Sequence, residues 1–146
     1  MRNAVHEQIG QSMVELALLL PILVFGLIGA ADLARAFALQ LAIENGARAG
    51  AEAYAINFSP TLLMAKGRAL DEISRTPGIN IADPSLQIDA DPPTHSDGTV
   101  CVGTPTIAAP CYITVTVQYQ FKTIVPWPFI PNTANFNRST TMRTFY

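Results

Sequence analysis

Charge is what this chain has least of. Only 14% of its 146 residues are Asp, Glu, Lys or Arg, against 49% hydrophobic, whereas an ordinary soluble domain is about a quarter charged. The net charge of -2 leaves no basic footprint of the kind that binding a phosphate backbone requires, so nucleic acid is not expected as a direct partner. From Asn57 onward six basic and six acidic residues balance, and no strong field of either sign remains. Histidine is equally sparse. His6 and His95 stand alone, and no G-x-S-x-G, H-E-x-x-H, C-x-x-C or phosphate-loop spacing accompanies them. No catalytic residue, cofactor or metal site is therefore assigned, and the chain is not expected to be an enzyme. Its length suits one small domain plus an anchor.

The apolar excess lies near the N-terminus. Leu16–Ala31 carries no charge, and Ser12 through Ala31 supplies 20 residues, which is what a helix rising 1.5 Å per residue needs to cross the hydrocarbon core. A cleavable secretory signal is the competing reading, with Leu16–Ile28 as its apolar region and Gly29-Ala30-Ala31 as the cut site. Two features oppose it. The leading segment has Arg2 against Glu7 and places a second acid, Glu15, beside the apolar region. The following stretch, DLARAFALQLAIENGARAGAEAYAI, contains no Pro and many strong helix formers, so a single helix from Ser12 to Tyr54 is expected.

Along that helix Gly26, Ala30, Ala34, Ala38, Ala42, Gly46 and Gly50 recur at every fourth position. Each step of four drifts by about 40° on a 3.6-residue helix, so the series winds as a ridge. Small residues at this spacing let helices approach closely in a membrane, although Ala also accumulates in helices by propensity alone. The glycines favour packing, because each costs roughly 1 kcal/mol against Ala in a helix interior. Leu33, Phe37 and Leu41 add an apolar row, and Glu44, Arg48 and Glu52 a polar one, so the second half reads as amphipathic.

Glu15 falls five residues after Gly10, in GQSMVELALLLPILVFGLIGAADLARAF. The spacing resembles the type IV prepilin processing site, in which a membrane peptidase cuts after glycine and the acid becomes the fifth mature residue. The whole stretch resembles the N-terminal signature of the TadE-like family, minor pilin-like proteins of Tad (Flp, type IVc) pilus systems. The family pattern falls here on Gly10, Gln11, Ser12, Glu15, Pro21, Asp32 and Arg35. ENGARAGAEAYA resembles the family's Ala/Arg/Gly segment, and YITVTVQYQF with STTMRTF its closing strands. The resemblance implies a leader of residues 1–10, a pilin-like fold and assembly with other pilin-like subunits and with platform proteins. Its function would be structural. A membrane-anchored extracytoplasmic module that binds a protein or surface ligand is the alternative.

After a cut at Gly10 the α-amino group of Gln11 would be a cation near the membrane, which a neighbour's Glu15 could neutralise; a buried charge is retained mainly when paired. The competing reading leaves Glu15 solvated at headgroup depth. Arg2 and Arg35 flank the span and decide little about orientation. The cysteines say more. Cys101 and Cys111 bracket VGTPTIAAP and are expected to close a disulfide in an oxidising compartment, with two inert thiols as the other possibility. His6 and His95 sit in no tight spacing with them for a metal. A C-terminal domain outside the cytoplasm follows, and the family resemblance implies a bacterial inner-membrane protein with a cytoplasmic N-terminus and a periplasmic C-terminal domain, or one incorporated in an extracellular pilus.

Residues 57–146 read as α then β, giving an α+β fold with a small antiparallel sheet. Ser59-Pro60 offers a cap and first position for a helix TLLMAKGRALDEIS, ended by Pro77-Gly78. Strands are expected at SLQIDA, TVCV, YITVTVQYQF and RSTTMRTFY, with Ile113, Val115 and Val117 sharing one face. Trp127 and Phe129 in VPWPFIPN suit a covered core edge, a membrane surface or a neighbouring subunit. Asp83, Asp89, Asp91 and Asp97 gather without the EF-hand pattern and read as a solvated acidic loop rather than a Ca²⁺ site.

Overall fold

The computed structural model describes residues 3–128 and 130–145, and the side chains from Gln11 onward. Arg2 and Phe129 lie outside the described residues, as do the surroundings of His6 and Gly10. Five elements follow one another: α1 (Asn3–Ala55), α2 (Leu62–Ser74), β1 (Gln87–Ala90), β2 (Tyr112–Lys122) and β3 (Thr133–Arg143). The sheet is antiparallel in the order β1-β2-β3. This is the expected α+β arrangement of a long N-terminal helix, a short second helix and a small sheet.

The long helix starts nine residues earlier than the expected Ser12, and it continues through Pro21, whose missing N–H removes one ladder bond. It stops where Asn57 turns left-handed at φ 60°, a conformation Asn tolerates better than branched residues, with its N–H on the Tyr54 carbonyl at 2.9 Å. The two halves of α1 differ. From Gln11 to Leu27 every residue is exposed, and the helix that contains this stretch is long and apolar enough to cross a membrane. Beyond Asp32 the helix is the spine of the domain, burying Leu39, Ala42, Ile43, Gly46, Ala47, Gly50 and Ala51 at helical spacing.

Around that spine the core is layered. Ile113, Val115 and Val117 of β2 point inward, meeting Ile43, Ala47, Ala51 and Ala55 of α1 and Ala69 and Ile73 of α2. The outward residues are polar, with Thr114 and Thr141 hydroxyls 2.8 Å apart across the β2–β3 ladder. Further details differ from expectation. The second helix is capped by Thr61, whose hydroxyl accepts the Met64 N–H at 3.2 Å, while Ser59 is buried with its N–H on the Ala53 carbonyl. TVCV forms no strand; a turn at Gly98, φ 84°, leaves only an isolated bridge between Thr94 and Val100. The last strand begins at Thr133, five residues before the expected RSTTMRTFY, because the register with β2 runs unbroken from Lys122–Thr133 to Tyr112–Arg143.

Close approach of the two helices depends on glycine. A Cβ on Gly50 would sit 2.9 Å from the Ala65 carbonyl oxygen and 3.1 Å from the Ala69 Cβ; one on Gly46 would sit 2.5 Å from Ile73. The Ala65 carbonyl cannot swing aside as a side-chain tip would. Gly67, on the outer side of α2, has nothing within 4 Å of such an atom. Gly50→Ala should therefore destabilise the domain by about 1–2 kcal/mol despite its better helix propensity, whereas Gly67→Ala should stabilise it by roughly 0.5–1 kcal/mol. Denaturant unfolding of the detergent-solubilised protein measures both signs; equal effects would show that the helices can separate freely.

Candidate functional site

At the point where the bare half of α1 meets the domain stands Asp32, only 5% exposed. An isolated buried carboxylate is costly, and this one is surrounded by donors. The backbone N–H of Ile124 donates to both its oxygens, at 3.0 Å to Oδ1 and 3.2 Å to Oδ2, and the Trp127 indole N–H donates to Oδ2 at 3.3 Å. Arg35, one turn along the helix, donates to Oδ1 at 3.1 Å and lays its guanidinium over the Phe121 ring, 5.5 Å from the centroid. One carboxylate thus ties the β2–β3 turn, 92 positions away in sequence, to the helix.

The turn is built to make those contacts. Thr123 donates its N–H to the Asn132 carbonyl at 3.0 Å, which closes the loop, and the Asn132 side chain bonds the Trp127 backbone from both its ends. With its backbone pinned, Trp127 lays its indole on Gly29, 3.6 Å from where a Cβ would stand, and meets Phe25 edge-on at 6.4 Å between centroids. Trp127 therefore covers the end of the apolar run. Asp32 and Arg35 were legible only as members of a motif. The usable signal was an acid directly closing an apolar run, Arg three residues on, and the chain's single Trp in an uncharged Pro-flanked turn.

The other sequence-derived residues separate into groups. The Gln11 side-chain amide donates to Glu15 at 3.2 Å, one helical turn apart and exposed. The ridge of small residues divides in two. Gly26, Ala30, Ala34 and Ala38 are exposed, whereas Ala42, Gly46 and Gly50 are buried, the two glycines against α2 of the same chain. The close neighbour at Gly46 and Gly50 is thus internal. The bulky row also lies outside the core: Leu33, Phe37 and Leu41 are 65%, 70% and 60% exposed.

Cys101 and Cys111 form a disulfide with a Cα–Cα separation of 6.1 Å, beside the end of β3, where the Thr144 N–H donates to the Cys111 carbonyl at 2.8 Å. His95 shares this neighbourhood, its ring Nδ1 3.0 Å from the Pro110 carbonyl oxygen, but the two sulfurs nearby are committed to each other. The four aspartates do not converge. Asp83 accepts the Ser85 N–H, Asp97 accepts the Thr99 N–H and hydroxyl, and Asp89 pairs with Lys66 at 3.1 Å. Hydrogen bonds from Ser85 and Thr99 hold the Asp83 and Asp97 carboxyls below the usual range, with burial opposing. That stabilisation is present at neutral pH and is lost as pH falls through the lowered values.

Fold and junction together define a protein with one long N-terminal helix, apolar and bare in its first half, carrying a disulfide-containing α+β domain on its second. Compared with known families, residues 10–52 match the model of the TadE-like proteins. The matched segment begins at Gly10 and ends three residues before α1 does, and it includes Glu15, Asp32 and Arg35. No curated protein and no solved structure matches the chain.

The junction gives a prediction. Asp32→Ala leaves the Ile124 N–H and Trp127 indole without their acceptor and Arg35 without its partner, so the turn should detach. Trp127 emission should shift to the red and limited proteolysis should cut between residues 122 and 132 several-fold faster, with Asp32→Asn intermediate because it keeps one acceptor oxygen. Unchanged emission and cleavage in Asp32→Ala would show that the turn is held by apolar packing alone.

Proposed function

We propose that this chain is a structural subunit of a Tad-type pilus or of its secretion platform, a minor pilin-like protein inserted in the bacterial inner membrane with residues 57–146 in the periplasm. The observation that carries this reading is the uncovered face of α1. Leu33, Phe37 and Leu41 continue the bare apolar span along the domain's own spine, on the side that the domain leaves open. Leu41 lies ten residues past Ala31, about 15 Å of helix, beyond the reach of the hydrocarbon that a 20-residue span fills. Water is a poor neighbour for such a row, and the hydrocarbon does not extend along it to Leu41. A neighbouring protein helix covers it, and the exposed Gly26, Ala30 and Ala34 permit the same helix to approach closely within the membrane.

The match to TadE-like proteins over residues 10–52 supports a Tad-type system. In this reading a prepilin-type peptidase cuts after Gly10, residues 11–56 form the packing helix with its span at about 12–31, and Glu15 meets the new α-amino group of a neighbouring subunit. The disulfide fits an oxidising periplasm. No step of the role requires bond-making chemistry by this chain.

Coexpression with a prepilin peptidase tests the first half of the proposal. Wild-type protein should lose residues 1–10 and begin at Gln11 by mass spectrometry, and Gly10→Leu should stay full length. A mature start near Asp32 would instead indicate a secreted module. Glu15→Ala should insert normally, since it makes the span more apolar, yet be recovered at a small fraction of the wild-type level in purified pilus or platform complexes. Equal recovery would remove the ion pair from the mechanism.

A further inference from the structure

We propose that the β2–β3 turn is a second membrane contact, in which Ile124, Trp127 and Ile130 enter the lipid interface beside α1 and fix how the domain stands on the bilayer. The proposal rests on reading the first half of α1 as a membrane span. Residues 123–137 carry no charge, and within them Ile124, Val125, Pro126, Trp127, Pro128 and Ile130 make an apolar cluster. Ile124 and Ile130 are 59% and 63% exposed, although the β-strands that lead into the turn present polar residues to solvent. These two side chains are not held in the core. They belong to the turn whose Trp127 lies against Gly29 and Phe25 of the apolar run.

Depth is set by what the turn touches. Trp127 rests on Gly29 and against Phe25, one and two turns below Asp32 on the side of the span. At 1.5 Å per residue these positions lie about 4.5 and 10 Å beyond Asp32, so the indole reaches past the charged boundary of the helix. Its N–H is directed back at Asp32 while the ring faces the apolar side, the amphipathic placement that brings Trp to membrane interfaces. Lys122 and Arg35 stand at the neck of the turn, where the headgroup phosphates of a bilayer would lie. The junction acid is already bonded to Arg35, so it presents no free carboxylate to those phosphates. A lipid surface is the one occupant continuous with the span itself, and it covers the cluster without a further protein.

Trp127 is the chain's only tryptophan, which makes the test direct. Full-length protein is reconstituted in phosphatidylcholine/phosphatidylglycerol vesicles containing lipids brominated at defined acyl positions. Trp127 fluorescence should be quenched by shallow bromines and protected from aqueous acrylamide, and Ile124→Ser/Ile130→Ser should lower the bromolipid quenching by about twofold and raise acrylamide access. That double variant leaves every hydrogen bond at Asp32 in place. Quenching by acrylamide at the rate of a water-exposed indole, with none from bromolipid, would overturn the proposal. So would a double variant indistinguishable from wild type. A Trp placed in the span, Leu20→Trp in a Trp127→Phe background, separates the two readings. Its quenching by deep bromines establishes the span whatever Trp127 does, and its failure to be quenched rejects the anchor on which the proposal rests.

Discussion

A charge withdrawn from solvent at the edge of an apolar helix has to be answered by donors, and at Asp32 two of those donors come from the far end of the chain. The Ile124 amide, the Trp127 indole and Arg35 converge on one carboxylate. Because two of these three belong to the β2–β3 turn, the interaction determines where the domain sits along α1. Without it the sheet would still pack on the helix through Ile113, Val115 and Val117, but the turn would have no register against the end of the apolar run. The contact converts a helix with a domain attached into a helix with a domain oriented.

The same helix serves two environments because its small residues change partner along its length. At Gly46 and Gly50 the partner is α2, at a distance that a single methyl group would violate. Nearer the N-terminus, Gly26, Ala30 and Ala34 face outward with Leu33 and Phe37 beside them. Stability of the isolated subunit depends on the first set, and the proposed association with neighbouring helices on the second. The division explains how a helix can remain rigid in a monomer and still offer a packing surface.

The sequence made the order of elements legible because strong periodic signals agreed with one another. Alternation in YITVTVQYQF put Ile113, Val115 and Val117 inward, and the Pro-poor stretch after Ala31 carried the helix on to Ala55. Boundaries were less legible: Thr61 rather than Ser59 caps α2, and the turn at Gly98 overrides the β-propensity of TVCV. The inward face of α1 was hidden for a physical reason. Leu33, Phe37 and Leu41 read only as an apolar row on an amphipathic helix, which does not say what the row faces; close helix packing selects small residues, so Ala47, Gly50 and Ala51 are inside and the bulky row is outside. The role of Asp32 was hidden because its partners are remote in sequence, and no local pattern announces a backbone N–H as a ligand for a carboxylate.

Amide hydrogen exchange at Ile124, in the full-length protein in lipid nanodiscs, tests the central claim that the Asp32 carboxylate holds the turn on the helix. The account predicts slow exchange at this loop position, on the order of a hundredfold below an unprotected amide, and recovery to near the unprotected rate in Asp32→Ala while the amides of Val115 and Val117 stay protected. Exchange at the unprotected rate in the wild-type protein, or equal protection with and without the carboxylate, would contradict it.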